Sequence, residues 1–177
     1  IGTVTLTATS AGDTNYYSAS TSQLITIGQG MPILIVTSSN MTVVDGTLTA
    51  TITTTASQNI GTLIYSVNNG TGAAFIDAGT GIITALSVGT VTLTVTSSGN
   101  TNYNSASVDQ LITIGQATPT LTVTSADTLN VDDVITATVN TTATFGRGGA
   151  ITFSILAGSG SATLDTNTGV LTAISVG

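Results

Sequence analysis

The sequence predicts an all-β chain built from tandem seven-stranded sandwiches. Three observations lead to this fold class: apolar residues alternate with threonine, turn residues recur at short intervals, and the chain repeats itself with a period of about 87 residues. Threonine occurs forty times among 177 residues, and this β-branched residue is favoured on pleated surfaces. No segment keeps the 3.6-residue periodicity of a helix over about ten residues, so strands and turns are expected throughout.

The internal repeat sets the expected domain boundaries. Residues 1–29 match residues 88–116 at 22 of 29 positions, which is an offset of 87. The similarity continues beyond these segments, and after one inserted residue the offset is 88 to the end of the chain. We therefore expect the C-terminal part of one repeat at 1–29, a complete repeat at 31–116, and the N-terminal part of the next repeat at 118–177.

Seven short strands are expected within the complete repeat. In the run Thr90–Thr96, Val and Leu point to one side and Thr to the other, as in a strand with one buried face. The expected strands are 33–38, 47–54, 61–67, 73–76, 82–86, 89–97 and 108–115. Turn clusters separate them, such as Val44-Asp45-Gly46 and Asp77–Gly81. In the turn Asp77–Gly81 and its counterpart Asp165–Gly169, Asp should cap main-chain N–H groups and Gly should take a positive φ. This succession of strands and turns is typical of a β-sandwich.

Charge and composition exclude several classes of partner. The chain contains no Lys, Glu, His or Cys, and its one basic residue, Arg147, lies in a Gly-rich segment expected to form an exposed loop. A net charge of −7 offers no basic cluster to neutralise phosphates, so no nucleic acid partner is expected. No apolar run approaches the roughly 20 residues that span a bilayer, so no membrane insertion of this segment is expected.

The residue inventory predicts no enzyme, no catalytic residue and no cofactor. A Ser or Thr nucleophile needs a base, and His and Lys are absent. Asp132 and Asp133 are adjacent and would face opposite sides of a strand, so they could not share a proton. Calcium is the metal that the sequence leaves open, with Asp45, Asp132 and Asp133 as candidate ligands near the domain junctions.

Two pairs of equivalent residues are predicted to have structural roles. Tyr16 and Tyr103 occupy the same place in successive repeats, where a sandwich often buries the ring and ties the hydroxyl to a neighbouring loop. Pro32 and Pro119 follow short linkers and should stiffen them by fixing φ. The linkers would then place successive repeats end to end in a rod.

Several motifs resemble those of the bacterial immunoglobulin-like (Big-type) domains found in large repetitive surface proteins and adhesins. The resemblance is carried by the run Asp77–Leu93, the segment Gly99–Tyr103 and the strand Leu111–Ile114, and it extends over the whole chain. It implies immunoglobulin-like β-sandwiches in tandem, an extracellular or cell-surface location, and no conserved active site. Since the chain has no Lys, the isopeptide crosslink of many surface repeats is chemically impossible here.

The expected function is a structural or adhesive repeat segment of a long extracellular bacterial surface protein, acting as a stalk or as the building unit of an extracellular filament. The expected partners are neighbouring copies of the same repeat, in a homopolymer or a very long chain. Ile33 and Ile35, whose counterparts are Thr120 and Thr122, form a candidate association face on the outward side of a strand. The alternative is a carbohydrate- or receptor-binding immunoglobulin-like module, with host or surface glycans as ligands, although the exposed aromatics it requires are scarce.

Overall fold

The structure, a computed structural model, describes residues 1–144 and 148–177. Every regular element in these residues is a β-strand, which confirms the predicted all-β class. The described residues include no helix of the length and apolarity that crossing a bilayer requires. The chain divides into two compact units, residues 1–116 and 117–177. The predicted exposed position of Arg147 lies outside the described residues.

The first unit begins with a β-hairpin. Its strands are β1 (Gly2–Ser10) and β2 (Ala19–Ile27), which pair antiparallel along their whole length. The Asp13 carboxylate closes the turn by accepting hydrogen bonds from the N–H groups of Asn15 and Tyr16, at 2.7 and 2.9 Å. Both faces of the hairpin are exposed, because no second sheet covers either of them.

The remainder of the first unit is a two-layered sandwich. Its strands are β3 (Leu34–Val36), β4 (Met41–Val43), β5 (Thr47–Thr49), β6 (Ile52–Thr54), β7 (Leu63–Asn69), β8 (Ala73–Ile76), β9 (Ile82–Ser87), β10 (Gly89–Ser97) and β11 (Ala106–Gly115). One layer is a sheet of order β4-β11-β10-β7, and the other combines the sheet β5-β9-β8 with the pair β3-β6. Two layers of mainly antiparallel strands confirm the predicted β-sandwich.

The core lies between the two layers and follows the predicted alternation. Its most completely buried apolar side chains, all at most 1% exposed, are Ile83, Ala85, Val91, Leu93, Val95, Ile112 and Ile114. The threonines between the apolar residues of β10 point away from this core and are half-buried. The period-two pattern of the sequence therefore separates a sealed inner face from an outer face of hydroxyl groups.

Two strands differ from the sequence prediction. The expected strand 47–54 is divided into β5 and β6, because β5 pairs with β9 whereas β6 pairs with β3. Strand β4 was not predicted, and it forms by parallel pairing with β11. The N–H of Thr113 donates to the carbonyl of Asn40 at 2.9 Å, and the N–H of Val44 donates to the carbonyl of Gly115 at 3.0 Å.

The second unit repeats part of the same architecture. Its strands are β12 (Leu121–Thr124), β13 (Val134–Thr136), β14 (Thr138–Thr141), β15 (Ser161–Leu164) and β16 (Val170–Ser175). The pair β12-β14 and the sheet β13-β16-β15 correspond to β3-β6 and β5-β9-β8. Their registers also correspond, since Leu121 pairs with Thr141 as Leu34 pairs with Thr54. The repeat seen in the sequence is thus preserved in the hydrogen bonds.

Candidate functional site

The aspartates considered as calcium ligands belong to two equivalent turns. Asp45 and Asp132 have φ angles of 65° and 72°, and the N–H of each donates at 3.0 Å to an alanine carbonyl in β9 or β16. The Asp133 carboxylate accepts hydrogen bonds from the main-chain N–H and the side-chain amide of Asn130, at 2.8 and 3.1 Å. In residues 1–144 and 148–177, no three His, Cys, Asp or Glu side chains are grouped so that they could hold a metal ion. Calcium binding by these aspartates stays a prediction.

Two further aspartates cap tight turns, as the sequence predicts. Oδ1 of Asp77 accepts hydrogen bonds from the N–H groups of Gly79 and Thr80, each 2.9 Å long. Asp165 forms the equivalent turn, with bonds of 2.9 and 3.0 Å from the two corresponding residues. The glycine four positions after each aspartate has a φ near +70°, which a side chain would disfavour. The capping interpretation is confirmed at both turns.

We expect both capping carboxyl groups to titrate below their usual pKa of 3.8. N–H donation favours the ionised form, from Thr80 and then Gly79 at Asp77, and from Asn167 and then Thr168 at Asp165. The hydrogen bonds to the ionised carboxylates therefore stabilise the turns fully when the pH is above the usual pKa. This stabilisation is lost as the pH falls through the lower pKa of the folded chain. Carboxyl carbon shifts followed by NMR should show these midpoints returning to the usual value in urea. A folded midpoint at or above that value would contradict the capping argument.

Tyr103 lies where the linker after the hairpin meets the sandwich. Its hydroxyl lies 3.4 Å from Oγ of Ser57. Beside it, the N–H of Gly30 donates to the carbonyl of Asn102 at 2.8 Å, and the N–H of Asn104 donates to the carbonyl of Gly30 at 2.9 Å. A Cβ atom at position 30 would lie only 2.9 Å from the Tyr103 ring. The linker is thus held against this loop by main-chain bonds, at a position where glycine leaves room for the ring.

The other residues singled out from the sequence occupy different environments. Tyr16, the equivalent of Tyr103, is exposed because the hairpin has no sheet against which to pack. Pro32 is buried at the start of the sandwich, and Pro119 is half-buried in the second unit. Ile33 and Ile35 are exposed on the outward side of β3 and the residue before it. Association through these two isoleucines stays a prediction.

The hairpin exposes an apolar face that is buried in the complete sandwich. We call this the hairpin inner face, and it comprises Val4, Leu6, Ile25 and Ile27, which are 39–59% exposed. Their counterparts in β10 and β11 are at most 1% exposed. On the opposite face, Leu24 and its counterpart Leu111 are 64% and 59% exposed. The difference in burial therefore concerns the inner face, where a second sheet would pack.

In the second unit, residues 128–130 and 151–157 are irregular. These segments correspond to β4 and β7, the outer neighbours of the β10–β11 pair, yet neither is a strand. One anchor of the second segment is nevertheless in place. The N–H of Phe153 donates to the carbonyl of Thr166 at 2.8 Å, as the N–H of Tyr65 donates to the carbonyl of Ala78 at 3.2 Å. The second segment is thus held at this point as its counterpart is held in the complete sandwich.

No protein-family model matches the sequence, and no curated protein matches it. Among solved structures, the chain is similar to the crystal structure of the protocadherin GammaB4 extracellular domain, with 18% identity and a TM-score of 0.30. The similarity covers 99% of this chain and 34% of that chain, so this chain spans about a third of that structure. At this TM-score the similarity adds nothing to the fold, which the strand pairings define on their own.

Proposed function

We propose that the chain is a load-bearing segment of a long extracellular bacterial surface protein, built from Big-type immunoglobulin-like repeats. In this proposal it acts as a stalk or as the building unit of a filament, without catalysis and without a resident cofactor. The observation that carries the proposal is the parallel pairing of β4 with β11, which joins the two ends of the sandwich. The repeat pattern supports neighbouring copies of the same repeat as the partners. The resemblance to surface proteins supports an extracellular location.

The parallel pair of β4 and β11 determines how the sandwich resists a force that pulls its two ends apart. The chain enters the sandwich shortly before β4 and leaves it directly after β11. Because the two strands are parallel, tension on the two ends pulls them in opposite directions along their own length. The bonds from Thr113 to Asn40 and from Val44 to Gly115 are then loaded together in shear. An antiparallel pair pulled from one end would open its bonds one after another, at a lower force.

The buried polar group of the sandwich also supports a structural role. Ser97 is fully buried, and its hydroxyl donates to the carbonyl of Ile60 at 2.6 Å. The same oxygen accepts a hydrogen bond from the N–H of Gly99 at 3.3 Å. The hydroxyl therefore joins β10 to two loops, and no titratable group lies among its hydrogen-bond partners. Buried polar groups satisfied in this way fix local geometry.

Single-molecule force spectroscopy on the whole chain tests the proposal. Since the sequence has no Cys, a cysteine added at each end gives two unique attachment points. Residues 31–116 span at most roughly 280–310 Å when fully extended. Their unfolding should lengthen the molecule by this amount less the end-to-end distance of the folded sandwich, and this increment identifies the event. Val44→Pro removes the N–H that donates to Gly115 and should lower the unfolding force of this event.

The counterpart substitution Val131→Pro supplies the matched control, because Val131 lies outside the sandwich. It should leave the unfolding force of residues 31–116 unchanged. Equal unfolding forces for the unaltered chain and for Val44→Pro would show that the β4–β11 pair bears no load, and the proposed function would lose its main support.

A further inference from the structure

We propose that Asn69 is a modification site that reacts when β7 separates from β10, so that the turn after β7 keeps a covalent record that the sandwich has opened. The reaction is deamidation of the Asn69-Gly70 dipeptide by the neighbouring main chain and by water. The inference deepens the proposed function, on which it rests for the view that tension opens the sandwich. It sets a chemical limit on how long a loaded repeat can unfold and refold unchanged.

The reaction needs only the dipeptide and water. The main-chain nitrogen of Gly70 attacks Cγ of Asn69, and the new nitrogen–carbon bond closes a succinimide ring. The bond between Cγ and Nδ2 breaks, and Nδ2 leaves as ammonia with the proton that the Gly70 nitrogen has lost. Water then opens the ring at Cγ, which gives aspartate, or at the main-chain carbonyl carbon, which gives isoaspartate. Glycine at the second position favours the attack, because it has no side chain to hinder ring closure.

The turn after β7 uses both residues of this dipeptide. Oδ1 of Asn69 accepts a hydrogen bond from the N–H of Ala74 at 2.9 Å, and this bond ties the end of β7 to β8. A Cβ atom at position 70 would lie only 2.7 Å from the carbonyl oxygen of Thr90, so the close approach of the turn to β10 requires glycine. No other asparagine in the sequence precedes a glycine. The turn therefore contains the one dipeptide of the chain that is most reactive in this way.

The folded sandwich blocks the attack by holding both reacting groups. The N–H of Gly70 donates to the carbonyl of Thr90 at 3.1 Å, so this nitrogen keeps its proton and is fixed in place. The carboxamide of Asn69 is fixed by its bond to Ala74. Asn69 also pairs in register with Val91, a residue of β10 that has no exposed surface. Because the ring closes only when the nitrogen and Cγ rotate towards each other, the reaction must wait until β7 leaves β10.

Further hydrogen bonds hold the same turn to β10. The N–H of Gly72 also donates to the carbonyl of Thr90 at 3.1 Å, and the N–H of Thr90 donates to Oγ1 of Thr71 at 3.0 Å. Fraying of the turn alone should therefore not release Gly70. Isoaspartate would lengthen the main chain by one methylene group just before this position. The modified chain cannot restore all of these bonds in the same register, so we expect its sandwich to be less stable.

Peptide mapping of the whole chain by mass spectrometry tests the inference. The chain is incubated at mildly alkaline pH in buffer and in a graded series of urea concentrations, and replacement of NH2 by OH is followed at Asn69. Pepsin is the suitable protease, because the sequence has no Lys and one Arg and because acid stops the reaction. The rate at Asn69 should rise with the unfolded fraction of the sandwich. It should be at least about tenfold lower in buffer than in full denaturation.

Two isoleucine-to-valine variants distinguish opening of the sandwich from fraying of the turn. Ile112→Val removes one methylene group from the core, where Ile112 has no exposed surface, and should speed the reaction in buffer and at low urea by about two- to tenfold. Ile64→Val makes the same change on β7, where Ile64 is 52% exposed, and should keep the rate of the unaltered chain. In full denaturation all three chains should react equally fast. Asn69→Ala, which copies Ala157 of the next repeat, should abolish the reaction at this position.

Equal rates in buffer and in urea would overturn the inference, because the fold would then give no protection. A rate that Ile112→Val leaves unchanged in buffer and at low urea would also overturn it, because fraying of the turn would then control the reaction. Absence of reaction at Asn69 in urea would show that the dipeptide is not a modification site. All of these measurements are made without applied force, so failure of this inference is distinguishable from failure of the proposed function.

Discussion

Replacing Leu93 by alanine should lower the free energy of unfolding of the sandwich by about 2–5 kcal/mol. Leu93 has no exposed surface and lies at the centre of β10, in the core shared with Ile83 and Ile112. Truncation removes apolar atoms from a closely packed interior and leaves a cavity that the two bonded neighbours of β10 prevent from collapsing. Hydrogen exchange of the slowest amides in β10 and β11 measures the change, since these amides exchange only when the sandwich opens.

The matched control for this substitution is Leu111→Ala in the adjacent strand. Leu111 is the same residue type in the same sandwich but is 59% exposed, on the outward face. Its truncation should change the free energy of unfolding by no more than about 0.5 kcal/mol. Similar effects of the two substitutions would mean that the inner and outer faces of this sheet are assigned wrongly.

Replacing Gly89 by alanine should destabilise the same sandwich by about 3 kcal/mol or more. Gly89 begins β10 with a φ of +133°, a region that residues with a side chain rarely adopt. An added Cβ would meet the main-chain nitrogen of Gly72 well inside contact distance and would lie 2.7 Å from the Gly72 Cα atom. Both neighbours are backbone atoms of the turn before β8, so no side-chain rearrangement relieves the clash.

Gly115→Ala is the corresponding control within the same sandwich. Its Cβ would find its nearest neighbours at 3.8 Å, an ordinary contact, and its φ is not in the left-handed region. The slowest exchanging amides should therefore show nearly the same protection in this variant as in the unaltered chain. A Gly89→Ala chain as stable as Gly115→Ala would show that the approach of β10 to the turn at Gly72 is looser than described.

The sequence was sufficient for the features that depend on local pattern. The alternation in Thr90–Thr96 predicts both the strand and its buried face, because side chains of a strand point to opposite sides in turn. The turn chemistry at Asp77 was predictable for a similar reason, since Asp and Gly at these positions satisfy the main chain within five residues.

The features that the sequence left open depend on distant partners. Strand β4 has three residues and no alternation of its own, and it exists because β11, some seventy positions away, offers a parallel edge. The division of 47–54 likewise reflects two partners, β9 and β3, that no local pattern reveals.

The packing of Gly30 against Tyr103 also affects how freely the hairpin can rotate relative to the sandwich. A linker held only by its own covalent bonds would let the hairpin swivel freely about the chain axis. Here two main-chain hydrogen bonds, one on each side of Gly30, oppose that rotation from the same loop. Twist applied to the hairpin would therefore be transmitted to the sandwich through the backbone of one residue. A side chain at position 30 would crowd the Tyr103 ring and weaken this restraint on rotation.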